Sequence, residues 1–173
     1  MPLPIAHSLF SASFVALIYP KNQKNIGIPL TIGAFLANSP DFDFALVILF
    51  GSNDWHRGFT HSILFAAIVF LAIYAATKFE RRLESIALGA AFASHFFLDF
   101  ITTKIGEGLE LFWFFDSERY GLRWFGLSEK SAQMTLNELL TALTIETIIF
   151  TPIFLLIFYF RRKYLQTNKP SAS

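Results

Sequence analysis

The chain has 173 residues, 54% of them hydrophobic and 22 of them phenylalanine, with a formal net charge of +1. That is more apolar side chain than one soluble core of this length hides, and the near-zero charge gives no electrostatic ground for nucleic-acid binding. There is no cysteine, which excludes disulfides and thiolate metal sites and leaves imidazole and carboxylate as the donors for any metal.

In chain order, residues 5–19 (IAHSLFSASFVALIY) form the first apolar block, short for a crossing and closed by Pro20 and the polar run KNQKN. Residues 26–50 form the second, interrupted by NSPDFDF. Pro40 lacks an amide proton and disfavours helix at Ser39, so one helix is expected to stop near Asn38 and another to begin at Pro40 with Ser39 as its N-cap. Residues 59–77 and 83–103 are the third and fourth blocks, and Leu136 to Phe160 the fifth. Since about 20 helical residues cross the hydrocarbon, the last three qualify by length. The fold expected is all-α: a multi-pass membrane bundle of 4–5 spans with a broken second helix. It forms one domain over 1–165, with 104–133 as an outer loop or lid and 166–173 as a disordered cytoplasmic tail.

Lysine and arginine concentrate on the cytoplasmic side of membrane proteins. With alternating spans, nine of the fourteen basic residues share one side, among them Lys21, Arg81, Arg82, Arg161 and Lys163. Arg57, Lys104, Arg119, Arg123 and Lys130 fall on the other. The C-terminus is therefore expected in the cytoplasm and the N-terminus outside. The first block has no basic leader or small-residue cleavage site, so it reads as a retained segment rather than a signal peptide.

On this topology all four histidines lie at the outer level, where His7 opens the first block and His56 and His61 bracket the start of the third. Asp41 and Asp43 mark the break in the second, and His95 and Asp99 occupy the last turns of the fourth. The i, i+4 spacing of His95 and Asp99 puts both on one helix face, which suits two ligands of one metal. Four histidines and three aspartates are enough for one or two divalent cations, and mixed nitrogen and oxygen donors favour zinc, then manganese or iron, over calcium. Glu138 is a further candidate as hydrogen-bond partner of a ligating histidine, and Glu146, deeper in the fifth block, is expected to be protonated or hydrogen-bonded to another helix.

The elements PDFD, HRGFTHS and SHFFLDFITT, followed by GLELFWFFDSERYGL, resemble in order and spacing the membrane-bound metal-dependent hydrolase family, also described as LexA-binding, inner-membrane-associated hydrolases. The ligand order is also similar to that of the zinc-dependent phospholipase C and nuclease superfamily. The resemblance implies a helical inner-membrane protein, a divalent metal held by His7, Asp41, Asp43, His56, His61, His95 and Asp99, and phosphoester substrates with Arg57 as a phosphate clamp. Two stretches depart from the family pattern: Phe44 stands where relatives carry a histidine, and Phe112 to Phe115 replace a leucine-tryptophan-proline-phenylalanine turn.

The expected activity is hydrolysis of a lipid or lipid-linked phosphate at the extracytoplasmic boundary, with Asp43 accepting the proton of water and Arg57 steadying negative charge. Ser117, Arg119 and Tyr120 in the outer loop are candidate substrate contacts. The alternative is a non-enzymatic membrane regulator with a structural metal. An ion pathway ranks last, because the inner halves of the spans carry hardly any ionisable residue.

Overall fold

The structure, a computed structural model, describes residues 2–21, 23, 25–103, 108–122 and 135–167. Six α-helices carry the fold: α1 (Pro4–Ile18), α2 (Gly27–Asn38), α3 (Phe44–Phe50), α4 (Ile63–Ala76), α5 (Arg82–Thr102) and α6 (Leu136–Thr167). Short 3-10 turns cover Ser39–Asp43, Asn53–Trp55 and Phe59–His61. Among the described residues there is no strand, only one antiparallel bridge between Leu109 and Tyr120.

Three segments are long and apolar enough to cross a membrane: Gly27–Phe50, Arg82–Thr102 and Leu136–Thr167. A fourth arises if Asn53–His61 and Ile63–Ala76, bent by 52°, count as one span. The first block is short of a crossing, as its length in the sequence suggests. Helix α1 has 15 residues, or about 22 Å at the helical rise, against roughly 30 Å of hydrocarbon.

Although short, α1 is central and packs against α2, α5 and α6, while α4 packs on α5. The buried faces use small residues: Ala6, Ser11, Ala12 and Ala16 on α1, and Ser85, Ala87, Gly89 and Ala91 on α5. Large side chains such as Leu17, Phe35, Ile48 and Leu156 point outward. This is the distribution expected where lipid solvates the outside as well as leucine does and helices associate by close backbone approach. Gly33 shows the approach at its tightest, since a Cβ there would lie 2.6 Å from Val15 Cγ2 and 3.4 Å from Ala91 Cβ.

The ends of α1 are held by charges on α6. The Glu146 carboxylate, fully buried, accepts from the amides of Leu3 at 2.7 Å and Ala6 at 3.4 Å, at the start of α1. At the other end, Arg161 donates to the carbonyls of Ala16 at 3.0 Å, Tyr19 at 2.7 Å and Pro20 at 2.9 Å. An anion on the amide end and a cation on the carbonyl end match both the orphaned backbone groups and the helix dipole. The pairing also makes α1 and α6 run parallel. Pro4 in the first turn and Tyr19, extended ahead of Pro20, set the limits of α1.

The break in the second block is present but differs in form. Ser39 remains helical and donates its hydroxyl to the Leu36 carbonyl at 2.7 Å, the group that Pro40 has no N–H to serve. It is thus not an N-cap, and the backbone tightens into a 3-10 turn through Asp43 before α3 begins. Ser62, by contrast, is the N-cap of α4 and accepts from the Phe65 amide at 3.1 Å.

Replacing Gly33 by alanine is expected to destabilise the bundle by about 1–3 kcal/mol through overpacking against Val15. Thermal unfolding in detergent should show the loss, and Val15→Ala in the same chain should recover part of it.

Candidate metal centre

The first turn of α1, the 3-10 turn of the second block, the turn before α4 and the end of α5 converge on one buried cluster. His7, His61, His95 and Asp99 have no exposed surface, and the Asp41 side chain retains 15%. His61 Nε2 and His95 Nε2 are 2.9 Å apart. Asp41 Oδ1 lies 3.9 Å from the former and 3.5 Å from the latter, and Asp99 Oδ2 lies 3.8 Å and 3.6 Å from the same two atoms. His7 stacks on His95 with ring centroids 4.0 Å apart and brings its Nε2 to 3.3 Å from Asp99 Oδ1.

Hydrogen bonding around the rings decides which nitrogens face inward. His95 Nδ1 is 2.6 Å from the Ala37 carbonyl, which only accepts, so Nδ1 carries the proton and Nε2 of the neutral ring presents a lone pair. His61 Nδ1 is 2.9 Å from Thr60 Oγ1, whose own proton goes to Asp43 Oδ2 at 2.9 Å. His61 Nε2 therefore also presents a lone pair, and two lone pairs at this separation repel unless a positive charge sits between them. Neither nitrogen of His7 and neither carboxylate oxygen of Asp99 has a hydrogen-bond partner. A buried carboxylate with no donor costs several kcal/mol unless a cation supplies the compensation.

These observations test whether the residues fit a metal. Two donor groups, His7 with His95 and Asp99, and Asp41 with His61 and His95, each lie within 4.8 Å of one another. Tetrahedral zinc with nitrogen and oxygen ligands places its donors about 3.4 Å apart, in the middle of the separations found. Both groups use His95, whose Nδ1 is committed to Ala37, so one cation suits the set better than two.

Asp43 and His56, expected among the ligands, stand one step back. Asp43 Oδ1 accepts from His56 Nδ1 at 2.8 Å, while Oδ2 accepts from the Arg57 amide and from Thr60 Oγ1, each at 2.9 Å, and lies 3.4 Å from His61 Nδ1. Asp41 and Asp43 thus flank His61 from its two nitrogens, an arrangement that orients a ligating imidazole and strengthens its basicity. Arg57 is buried and has a left-handed backbone with φ of 62°. That conformation turns its amide to Asp43 while its carbonyl accepts from the Glu110 amide at 3.0 Å.

Residues 108–122 brace this loop from outside. Arg119 donates to the carbonyls of His56 at 3.2 Å and Asp54 at 3.0 Å and to Glu110 Oε1 at 3.4 Å, so its guanidinium holds the HRG loop rather than facing the cluster. Burial pushes the Glu110 carboxyl up, against the pull of Arg119. Tyr120 donates to Asp116 at 2.5 Å, which draws the Asp116 carboxyl down and pushes the Tyr120 phenol up to about 12. Ser117 lines a shallow surface cavity with Trp113 and Phe115. Lys104, Arg123, Lys130 and Lys169, with the rest of the expected lid and most of the expected tail, lie outside the described residues.

Glu138 is placed differently from its expected role. Its carboxylate accepts from Thr135 N at 2.7 Å and Thr135 Oγ1 at 2.8 Å, and its amide donates back to that hydroxyl at 3.3 Å. This is a capping box on α6, and its signature, threonine three residues ahead of glutamate in TLNE, is visible in the sequence. Thr60 lies inside HRGFTHS and reads there, as Ser62 does, as a candidate cap of the following helix, a role Ser62 takes, whereas the Ala37 carbonyl leaves no trace in the side-chain pattern.

The inner membrane protein YbcI of Escherichia coli (strain K12) is 33% identical over 102 residues, covering 55% of this chain and 58% of that protein. The matched region thus spans little more than half the length of this relative. No solved structure matches. A family model described as YdjM inner membrane protein matches residues 1–168. Neither description names a reaction, a metal or a partner. The chain belongs to the YdjM inner membrane protein family, an inner membrane protein built from helical spans in contact with the bilayer.

Proposed function

We propose that the chain is a metal-dependent phosphoester hydrolase of the inner membrane, acting on a lipid or lipid-linked phosphate at the extracytoplasmic boundary. The observation that carries this reading is the fully buried Asp99 carboxylate, without a hydrogen-bond partner, beside the Nε2 atoms of His61 and His95, 2.9 Å apart. His61, His95, Asp41 and Asp99, with His7 as a fifth donor, would hold one divalent cation, zinc before manganese or iron. When bound, such an ion supplies a Lewis acid that draws the pKa of water toward neutrality and polarises a phosphoryl oxygen.

The protein's own groups divide the remaining work. Both oxygens of Asp43 are occupied, so it acts as a positioning residue, and the proton-accepting task expected of it passes to His56. That ring is 16% exposed, is anchored through Nδ1 to Asp43 and lies with its centroid 5.9 Å from that of His61. A carboxylate on one imidazole nitrogen fixes the tautomer and makes the other nitrogen the base. Arg57, buried in the same loop, supplies positive charge for a phosphate. The outward side of the cluster and the cytoplasmic C-terminus rest on the lysine and arginine distribution.

The closure of the cluster favours a second reading, a structural metal in a non-enzymatic membrane regulator. Four of the five donors have no exposed surface, and structural sites are closed where catalytic ones keep an open position.

Metal analysis of the purified protein in detergent should find about one equivalent of transition metal, falling at least tenfold in Asp99→Asn, since each ligand is worth several kcal/mol of affinity. Metal content unchanged in that variant removes the site.

Turnover of phosphomonoester and phosphodiester lipids in vesicles separates the two readings. On the hydrolase reading His56→Gln keeps its metal and loses about 10²–10⁴ in rate. A metal-loaded wild-type protein with no turnover, which unfolds when chelated, leaves the structural reading.

A further inference from the structure

At the end of α1 remote from His7, the helix and the last turns of α6 enclose a cavity of about 530 Å³. Its volume falls within the roughly 300–1,000 Å³ of small-ligand pockets. One wall is apolar, formed by Ala16, Leu17, Ile157 and Phe160, and the rim carries Lys21, Arg161 and Lys163 with no acidic residue among its lining. Leu17 and Phe160 are 61% and 57% exposed, so the apolar wall opens to the side of the bundle. Two of the cations are held in place. Arg161 is anchored by the carbonyls that end α1, and Lys21 Nζ sits 3.8 Å above the centre of the Tyr164 ring.

We propose that this cavity binds one anionic phospholipid, its phosphate at the Lys21, Arg161 and Lys163 rim and an acyl chain along Leu17, Ile157 and Phe160. The charge pattern selects an anion. The exposed apolar wall selects an anion that carries a hydrocarbon chain, which a free phosphate does not, and basic pockets between membrane helices recognise such headgroups. Arg161 joins this site to the frame of the bundle, because the same guanidinium terminates α1. This inference is independent of any metal or hydrolytic activity.

The test uses the full chain in nanodiscs of equal phosphatidylglycerol and phosphatidylcholine, released into the gas phase for native mass spectrometry. The expected result is one retained phosphatidylglycerol per chain, at least fivefold over phosphatidylcholine. Lys21→Gln with Lys163→Gln, both on exposed positions, should abolish the preference. Lys78→Gln with Arg82→Gln, an equal loss of charge at residues outside its lining, should leave it intact. Equal retention of the two lipids, an equal loss in both double variants, or displacement of the lipid by millimolar glycerol phosphate would each overturn the proposal.

Discussion

Inside hydrocarbon a polar group has only the rest of the protein to turn to, and this constraint organises the whole bundle. Glu146 is satisfied by the amides that open α1, Arg161 by the carbonyls that close it, and Asp43 by three donors from the loop ahead of α4. Asp99 lies at the same level of burial with no donor. The contrast between these satisfied groups and one unsatisfied carboxylate gives the cluster its chemical meaning. Buried polar groups are as a rule paired, so Asp99 is the carboxylate that sets the cluster apart.

The frame that holds the cluster is built from small residues and close approach. Because Gly33, Val15 and Ala91 bring α2, α1 and α5 together, the Ala37 carbonyl of α2 lies within reach of His95 on α5. The same convergence sets the first turn of α1, with His7, over the His95 ring. Residues 108–122 then press the HRG loop inward through Arg119 and Glu110. Tertiary packing rather than local helix preference thus fixes the donor geometry.

Much of this was legible in the sequence and some of it was not. The long spans of the fourth and fifth blocks, the interruption at Pro40 and the shared face of His95 and Asp99 follow from apolar run length, the missing amide of proline and helical spacing. The third block, expected to cross by length, forms a helix of 14 residues that reaches a span only with the bent turns ahead of it, and the broken second block supplies the third long span. The split between residues facing the cluster and residues standing behind it did not follow, because Asp41 and Asp43 look alike in one dimension. Only the 3-10 turn sends one toward His61 Nε2 and the other toward His61 Nδ1. Arg161 read as one more cytoplasmic charge, since nothing local shows that the carbonyls of α1 end beside it. Glu138 was readable in TLNE, but its nearness to the outer boundary favoured a role at the histidines.

The clamp on α1 also bears on how the molecule is made. Both of its charged anchors belong to α6, the last helix to leave the ribosome among those described. Helix α1 is too short to cross the bilayer by itself. Its final seat therefore waits until α6 has been synthesised and inserted. The His7 corner, carried on α1, thus depends on a helix made after the segments that bear the rest of the cluster.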